Sequence, residues 1–307
     1  MELPTGLYTQ MALVLDPNTG GGAHTVRLAG QPAELPLDTA AALANGVRVP
    51  LDMKVEDGKK LDLLFDLNAC ESIQMRGATY VLKPRPRPLP TVLNGVQGFI
   101  DKTALAGNVV ITTQKGGTIL ATTVPNPATG EFVLPRLPAD SYEVVAQANG
   151  RATAVIGAVP VAATGFTSVA TASAPIPLVT SAVSTISGQV SYTAPAAAPE
   201  DGTWVMASQS ISANAAVGNA AITVTNRLQA VDLATGGYVL TNLPRASVQF
   251  ALYKPARPLT LAPAATSAGN GRYRIEALAP GYLNKTGTSA NINVSGANAT
   301  GVNIAMP

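Results

Sequence analysis

The eleven residues ATGEFVLPRLP, from Ala128 to Pro138, recur as ATGGYVLTNLP from Ala234 to Pro244. Two stretches written so nearly alike are constrained to fold alike, because the pattern encodes one turn, one strand and one stop. Gly130 and Gly236 end a turn, where a residue without Cβ is cheapest. Apolar residues then alternate, Phe132 and Leu134 in the first stretch, Tyr238 and Leu240 in the second. That period of two is a strand with one buried face. Leu-Pro closes each strand, since proline cannot donate to a central ladder.

Two further echoes extend the repeat. YEVVAQANG (Tyr142 to Gly150) and YRIEALAPG (Tyr273 to Gly281) share Tyr, then Val or Ile two positions on, Ala four and six on, and Gly eight on. Tyr142 follows Phe132 by 10 residues and Tyr273 follows Tyr238 by 35, so the second copy carries 25 extra residues. These include KPARPLTLAPAATSAGNG, which reads as an inserted loop near 254–270. Upstream, VQGFI (Val96 to Ile100) and ISGQV (Ile186 to Val190) each set one glycine inside a short apolar strand, a sign of a bulge or a close backbone approach. Three domains are expected: 1–90, then two units of one kind at 91–180 and 181–307.

Composition agrees with strands rather than long helices. Hydrophobic residues make up 47% of the chain and are mostly Ala, Val and Leu. Charged residues are only 12%, about half the usual share. Thr, Asn, Gly and Pro fill the gap and favour short strands joined by turns. The expected class is all-β, tandem β-sandwiches with little helix.

An opening strand with Gly, then G-x-[FY]-x-L-x-x-L-P, then a Tyr strand ending in Gly, resembles the carboxypeptidase regulatory-like family. That resemblance implies transthyretin-like or collagen-adhesin B-type sandwiches of about seven strands, an Ig-like architecture, over two-thirds of the chain. The second domain departs from it, with ADSY where the family commonly has Gly before the Tyr strand. Collagen-adhesin B-type domains often form a Lys–Asn amide bond. Here Lys102 follows the first strand of one copy, but its closing region VATASAPIPLV lacks Asn, and the other copy opens STISGQVSYTA without Lys. No such bond is expected.

The first domain reads differently. PTGLYTQMALVL, LLFDLNACESI and ATYVLKPRPRP stand in order, with Phe65, Asp66, Ser72, Tyr80, Leu82, Lys83 and Pro84 at telling positions. They resemble the later half of an uncharacterised β-domain of bacterial surface lipoproteins (DUF4382-like). The resemblance implies a partial sandwich at 1–90 whose first strands precede Pro4. KPRPRPLPT then reads as an extended, solvated, polyproline-like spacer.

The chain offers little obvious chemistry. Net charge is +2, from 20 basic and 18 acidic residues, which gives no electrostatic case for nucleic acid or an anionic membrane. MELPTGLYTQ reads as the opening of a mature chain, not an export signal. The most apolar stretch, Ala152 to Val183, is broken by Pro160, Gly165, Pro175 and Pro177, so no membrane-spanning segment is expected. Cys70 is alone and reads as a small buried apolar residue. His24, in GGGAH, reads as a loop residue, not a catalytic base. Asp16 and Asn18 begin like a calcium loop, but Arg27 stands where an EF-hand needs Glu. Asp57, Asp62 and Asp66 lie close in sequence, with Lys54, Lys59 and Lys60 near enough to pair them. GNGRYR at Gly269 lacks the residues of a phosphate loop. No catalytic, metal or cofactor site is expected.

Trp204, in DGTWVMAS, is the one candidate ligand contact, as a sugar platform if exposed; its alternation with Met206 suits a core position as well. The last segment, SANINVSGANATGVNIAMP, alternates as a strand. It pairs either inside its own domain or with a neighbouring chain, head to tail, giving fibres. The function expected is that of a non-enzymatic, exported, cell-surface structural protein: a stalk, adhesin or filament subunit. Its partners would be copies of itself or a cell-surface or matrix glycan or protein. A glycan- or peptide-binding surface module is the alternative.

Overall fold

A computed structural model of the chain describes residues 3–28, 31–57, 63–89, 93–193, 198–199, 202–212, 220–280, 282, 285–286 and 291–306. The described residues are mostly strands in several sheets, with little helix. Among the described residues no helix is long and apolar enough to cross a membrane. The chain divides into two compact units, one of residues 1–91 with 200–202 and 230–236, the other of 92–199, 203–229 and 237–307.

The first unit holds β1 (Gly6–Leu13), β2 (Thr25–Arg27), β3 (Glu34–Asp38), β4 (Val47–Val55), β5 (Leu64–Leu67), β6 (Ile73–Arg76), β7 (Thr79–Leu82) and β8 (Pro86–Leu89), with helices α1 (Ala40–Asn45) and α2 (Ala69–Ser72). They form three small sheets, β1–β4, β2–β3–β7–β6 and β5–β8. Val49, Val47 and Val81 are buried, but Leu7 on β1 is 66% exposed. The KPRPRP stretch is extended, as expected, but it is not a free spacer. Pro86 to Leu89 pair antiparallel with Leu64 to Leu67. Arg87 reaches the Asp66 carboxylate at 2.7 Å. Alternate prolines are tolerated there because β8 is an edge strand and needs donors on one side only.

The second unit contains the repeat. Its first copy runs β9 (Asn94–Phe99), β10 (Val110–Lys115), β11 (Thr118–Thr123), β12 (Glu131–Pro135), β13 (Asp140–Gln147), β14 (Ala154–Val161) and β15 (Gly165–Ser168). Its second copy runs β16 (Val183–Tyr192), β17 (Trp204–Ile211), β18 (Ile222–Ala230), β19 (Gly237–Pro244), β20 (Val248–Leu252), β21 (Ala262–Ala264), β22 (Arg272–Leu278), β23 (Lys285–Thr286), β24 (Ile292–Asn293) and β25 (Ile304–Met306). One layer of the first copy is β12–β9–β15, the other β11–β10–β13–β14. The second copy repeats both orders as β19–β16–β25 and β18–β17–β22–β23. In both, the last strand joins the opening strand in parallel.

The echoes in sequence occupy matching places. Phe132 pairs with Gly98, and Tyr238 with Gly188; Leu134 pairs with Val96, and Leu240 with Ile186. The turn before each strand is closed by one side chain: the Asn126 Oδ1 accepts from the N–H groups of Ala128 and Thr129, the Asp232 Oδ1 from those of Ala234 and Thr235. Gly130 and Gly236 then take the left-handed backbone, at φ +78° and +71°. Six residues on, Arg136 and Asn242 do so too, at φ 61° and 55°. The two tyrosines close the motif. The Tyr142 hydroxyl donates to the Pro138 carbonyl at 2.8 Å, four residues away, and the Tyr273 hydroxyl to the Pro244 carbonyl at 2.6 Å, 29 residues away. Pro138 and Pro244 end the two copies of the repeated stretch, so the 25 extra residues are inserted within a closure that both copies share.

Burial pushes the Tyr238 hydroxyl up to about 12 and raises that of Tyr273 further, with nearby Arg227 pulling the latter back. Both stay neutral in the fold while an unfolded chain ionises them near pH 10. The stability they contribute is complete below about pH 10. It falls as pH rises toward the raised folded values, because only the unfolded state sheds the protons there. Alkaline denaturation should therefore begin above about pH 10 and be blunted in a Tyr238→Phe, Tyr273→Phe double variant. An identical alkaline midpoint in that variant would remove these hydroxyls as the cause.

The carboxyl-terminal strand β25 seats within its own chain, with Val190 opposite Ile304 and Tyr192 opposite Met306. Ile304 and Met306 are buried. In the first copy that place is taken by β15.

Candidate functional site

The most organised polar feature of the second unit is the seam between its two copies, and the inserted residues build it. The stretch expected as a loop near 254–270 contains β21, and β20 lies just before it. Hydrogen bonding places β20 parallel to β14, with Val155 opposite Phe250, and β21 antiparallel to β20. The sheet of the first copy thereby grows to six strands, β11–β10–β13–β14–β20–β21. Tyr253, Leu259 and Leu261 of the insertion pack against the core of the first copy. Arg257 lies with its guanidinium 5.0 Å from the Tyr253 ring centroid and donates to the Ser168 carbonyl of that copy. Val145 and Val155 from one copy share an apolar cluster with Ile211, Val224, Val248 and Phe250 from the other.

Beside this apolar contact runs a line of buried amides and hydroxyls. Gln114, on β10, is fully buried. Its side-chain amide reads the backbone of Thr225 on β18 as a neighbouring strand would: Oε1 accepts from the Thr225 N–H at 2.7 Å, and Nε2 donates to the Thr225 carbonyl at 2.9 Å. Gln147 donates to the same carbonyl at 3.1 Å. The Thr225 hydroxyl donates to the Gly117 carbonyl at 2.6 Å. Asn226 donates to the Thr153 hydroxyl at 2.8 Å. Arg227 donates to Gln147 Oε1 and to the carbonyls of Thr241 and Asn242. Burial lowers the Arg227 pKa, with Tyr273 pulling the other way. Glu143 stands opposite Gln114 on β13. Burial pushes its carboxyl above the usual carboxylate range, against the pull of backbone N–H groups and of Lys115. A polar seam of this kind fixes register, because each buried group left unpaired costs about 1–3 kcal/mol.

The residues singled out in the sequence lie elsewhere and are not brought together. Trp204 is on β17 opposite Leu278 and is 4% exposed, with its ring inside the fold rather than on a surface where a sugar could stack. His24 lies in the loop before β2, its Nδ1 sharing a 2.9 Å hydrogen bond with the Thr39 hydroxyl and its backbone N–H donating to Asn18 Oδ1. Thr39 is 1% exposed, out of reach of a substrate. Asn18 serves this same network, donating to Thr39 and to the Leu37 carbonyl. Asp66 pairs with Arg87, not with a lysine, and Lys54 pairs with Glu56 at 3.0 Å. Asp62, Lys59, Lys60 and the Cys70 side chain lie outside the described residues. Among the described residues, no group of three or more His, Cys, Asp or Glu lies close enough to hold a metal ion. Gln114, Gln147, Thr225 and Arg227 escaped the sequence reading, since polar residues alternating along a strand read as a solvated face.

No curated protein matches the chain. Among solved structures, the Bacillus anthracis TIE protein is similar at 9% identity and a TM-score of 0.20, over 74% of this chain and 51% of that one. This chain thus spans about half the length of that protein. Residues 1–84 match the family described as a domain of unknown function (DUF4382).

Proposed function

We propose that the protein is a non-enzymatic structural element of a cell surface, a stalk or spacer whose tandem sandwiches act as one stiff body. The observation that carries this reading is the seam. A hinge between two domains needs few contacts and a solvated linker. Here a sheet crosses from one copy into the other, and a paired amide ladder runs beside it. The insertion that breaks the symmetry of the repeat is spent on that coupling, which a chain of independently moving modules would not need. The reading of residues 91–180 and 181–307 as sandwiches of the carboxypeptidase regulatory-like type is supported by their matching strand orders and tyrosine closures. The use of Trp204 as a sugar platform draws no support from its burial. Nor does fibre growth through the tail, since β25 is already seated.

The test is single-molecule stretching of the full chain. A single rupture should release about 700–800 Å, the contour length of some 216 residues at 3.3–3.6 Å each. Two separate steps of roughly 300 and 400 Å would show independent modules and overturn the stiff-body reading. Surface display is tested by labelling intact cells of the native host with a membrane-impermeant amine reagent. Label confined to lysed cells would place the protein inside and remove the stalk role.

A further inference from the structure

The repeat gives every position in one copy a counterpart in the other, and one pair of counterparts is used in opposite ways. In the first copy, the outer face of β10 and β13 carries the pairs Gln114–Glu143, Thr112–Val145 and Val110–Gln147. Thr112, Gln114, Val145 and Gln147 are buried. The corresponding face of the second copy carries Ser208–Arg274, Met206–Glu276 and Trp204–Leu278. It is closed at the Trp204 end and opens toward Ser208 into a groove of about 530 Å³. Ser208, Ser210, Thr223, Arg272, Glu276 and Asn291 are among its lining residues, and alanine is the only apolar type there.

The chemistry of this groove is selective. Its size suits a small ligand or a few sugar units. Hydroxyls and an amide offer both donors and acceptors. Arg274 is bound to Glu276 at 2.8 Å, with the carboxylate largely covered and the guanidinium half exposed. Gln209 Nε2 donates to the Arg272 carbonyl at 3.2 Å and steadies the strand from which that side chain projects. Among the described residues no ion pair holds the Arg272 guanidinium, which is exposed. An exposed guanidinium fork lining a hydroxyl-rich groove matches a carboxylate on a polyhydroxylated body. A peptide fits less well, because strand addition needs an open edge. β17 already lies between β18 and β22, β22 pairs with β23 and β24, and on the edge strand β18 the Thr225 backbone is already taken by the Gln114 amide.

We propose that this groove binds an acidic carbohydrate, with Arg272 taking a sugar carboxylate and Glu276 and Ser210 exchanging hydrogen bonds with ring hydroxyls. The inference does not rest on the stalk reading: a chain of loosely coupled modules would carry the same groove.

Isothermal titration of the full chain with oligomers of galacturonate, glucuronate and mannuronate tests it. At least one should bind at a single site, at least about tenfold tighter than neutral maltotriose. Arg272→Gln should weaken it about tenfold or more, the effect of losing one charge-assisted hydrogen-bond pair. Arg272→Lys, which keeps the charge but not the fork, should recover only part of the loss. Circular dichroism of both variants should match the parent, since Arg272 is exposed. Failure of all three uronates to bind overturns the proposal. So does inorganic phosphate or an Asp/Glu decapeptide binding as tightly as the uronates, or an Arg272→Gln variant that binds normally.

Discussion

Gly188→Ala is expected to expel the carboxyl-terminal strand and to destabilise the second copy by roughly 3–5 kcal/mol, the burial free energy of two large apolar side chains. A Cβ at residue 188 would sit on the carbonyl of Val302, 2.5 Å from its carbon, where only backbone stands and no flexible side chain can yield. Val302 is fixed from both directions. Its N–H donates to the Ser187 carbonyl at 3.0 Å, and its own carbonyl accepts from the Tyr238 hydroxyl at 2.5 Å. Moving it away would unseat Ile304 and Met306, 1% and 0% exposed. In the first copy Val169 likewise donates to the Gln97 carbonyl at 2.9 Å, but the atoms nearest a Cβ at Gly98 belong to the side chains of Phe132 and Val169, not to backbone. Urea denaturation with limited proteolysis reads the effect, as rapid cleavage after Val294 accompanied by a lower midpoint. Gly296→Ala is the control, because a Cβ there meets nothing within 4 Å and should shift stability by no more than about 0.5 kcal/mol. A protected tail in the Gly188→Ala variant would remove the close approach as the reason for this glycine.

The outline of the fold was legible because its signals are local. A turn glycine, two alternating apolar residues and a Leu-Pro stop sit within eleven residues, and each has one structural meaning. The tyrosine echo was legible for the same reason, and the hydroxyl bond that makes it a closure belongs to the residue type. The 25 extra residues could be counted but not interpreted, because β20 pairs with a strand of the other copy and carries β21 at its far edge. Nothing near Val248 or Ala262 records that a parallel partner waits at Ala154. Gln114 was opaque for a related reason: a glutamine on a strand is written identically whether it faces water or a neighbouring backbone. The groove by Arg272 was invisible because it is an absence, the face left open where its counterpart is covered. The prolines from Pro84 to Pro88 misled, since proline content signals extension and says nothing of pairing at an edge.

Gln114→Ala should uncouple the two copies, at a cost of about 1–3 kcal/mol for one buried backbone N–H left without a partner. The wild-type amide gives Thr225 both halves of a strand partner's bond, at 2.7 and 2.9 Å. Alanine leaves the Thr225 N–H facing a dry space and leaves its carbonyl to Gln147 alone. The effect should be specific to the seam, because Gln114 also donates to Thr112 but its backbone ladder with Glu143 and Ile119 is untouched. Calorimetry is the measurement. The two copies of the parent should melt as one cooperative transition, and in the variant that transition should split, the copy losing its cover melting first. A Gln114→Ala, Gln147→Ala cycle should be non-additive by about 0.5–3 kcal/mol, as for groups sharing one acceptor. Raised salt should leave the coupling nearly unchanged, since the bonds between Gln114, Gln147 and Thr225 join neutral groups, whereas ion pairs at a surface would weaken. A variant that still melts in one step, with the parent's enthalpy, would mean that the apolar cluster of Val145, Val155 and Phe250 couples the copies by itself, and that the amide sets register without adding stiffness.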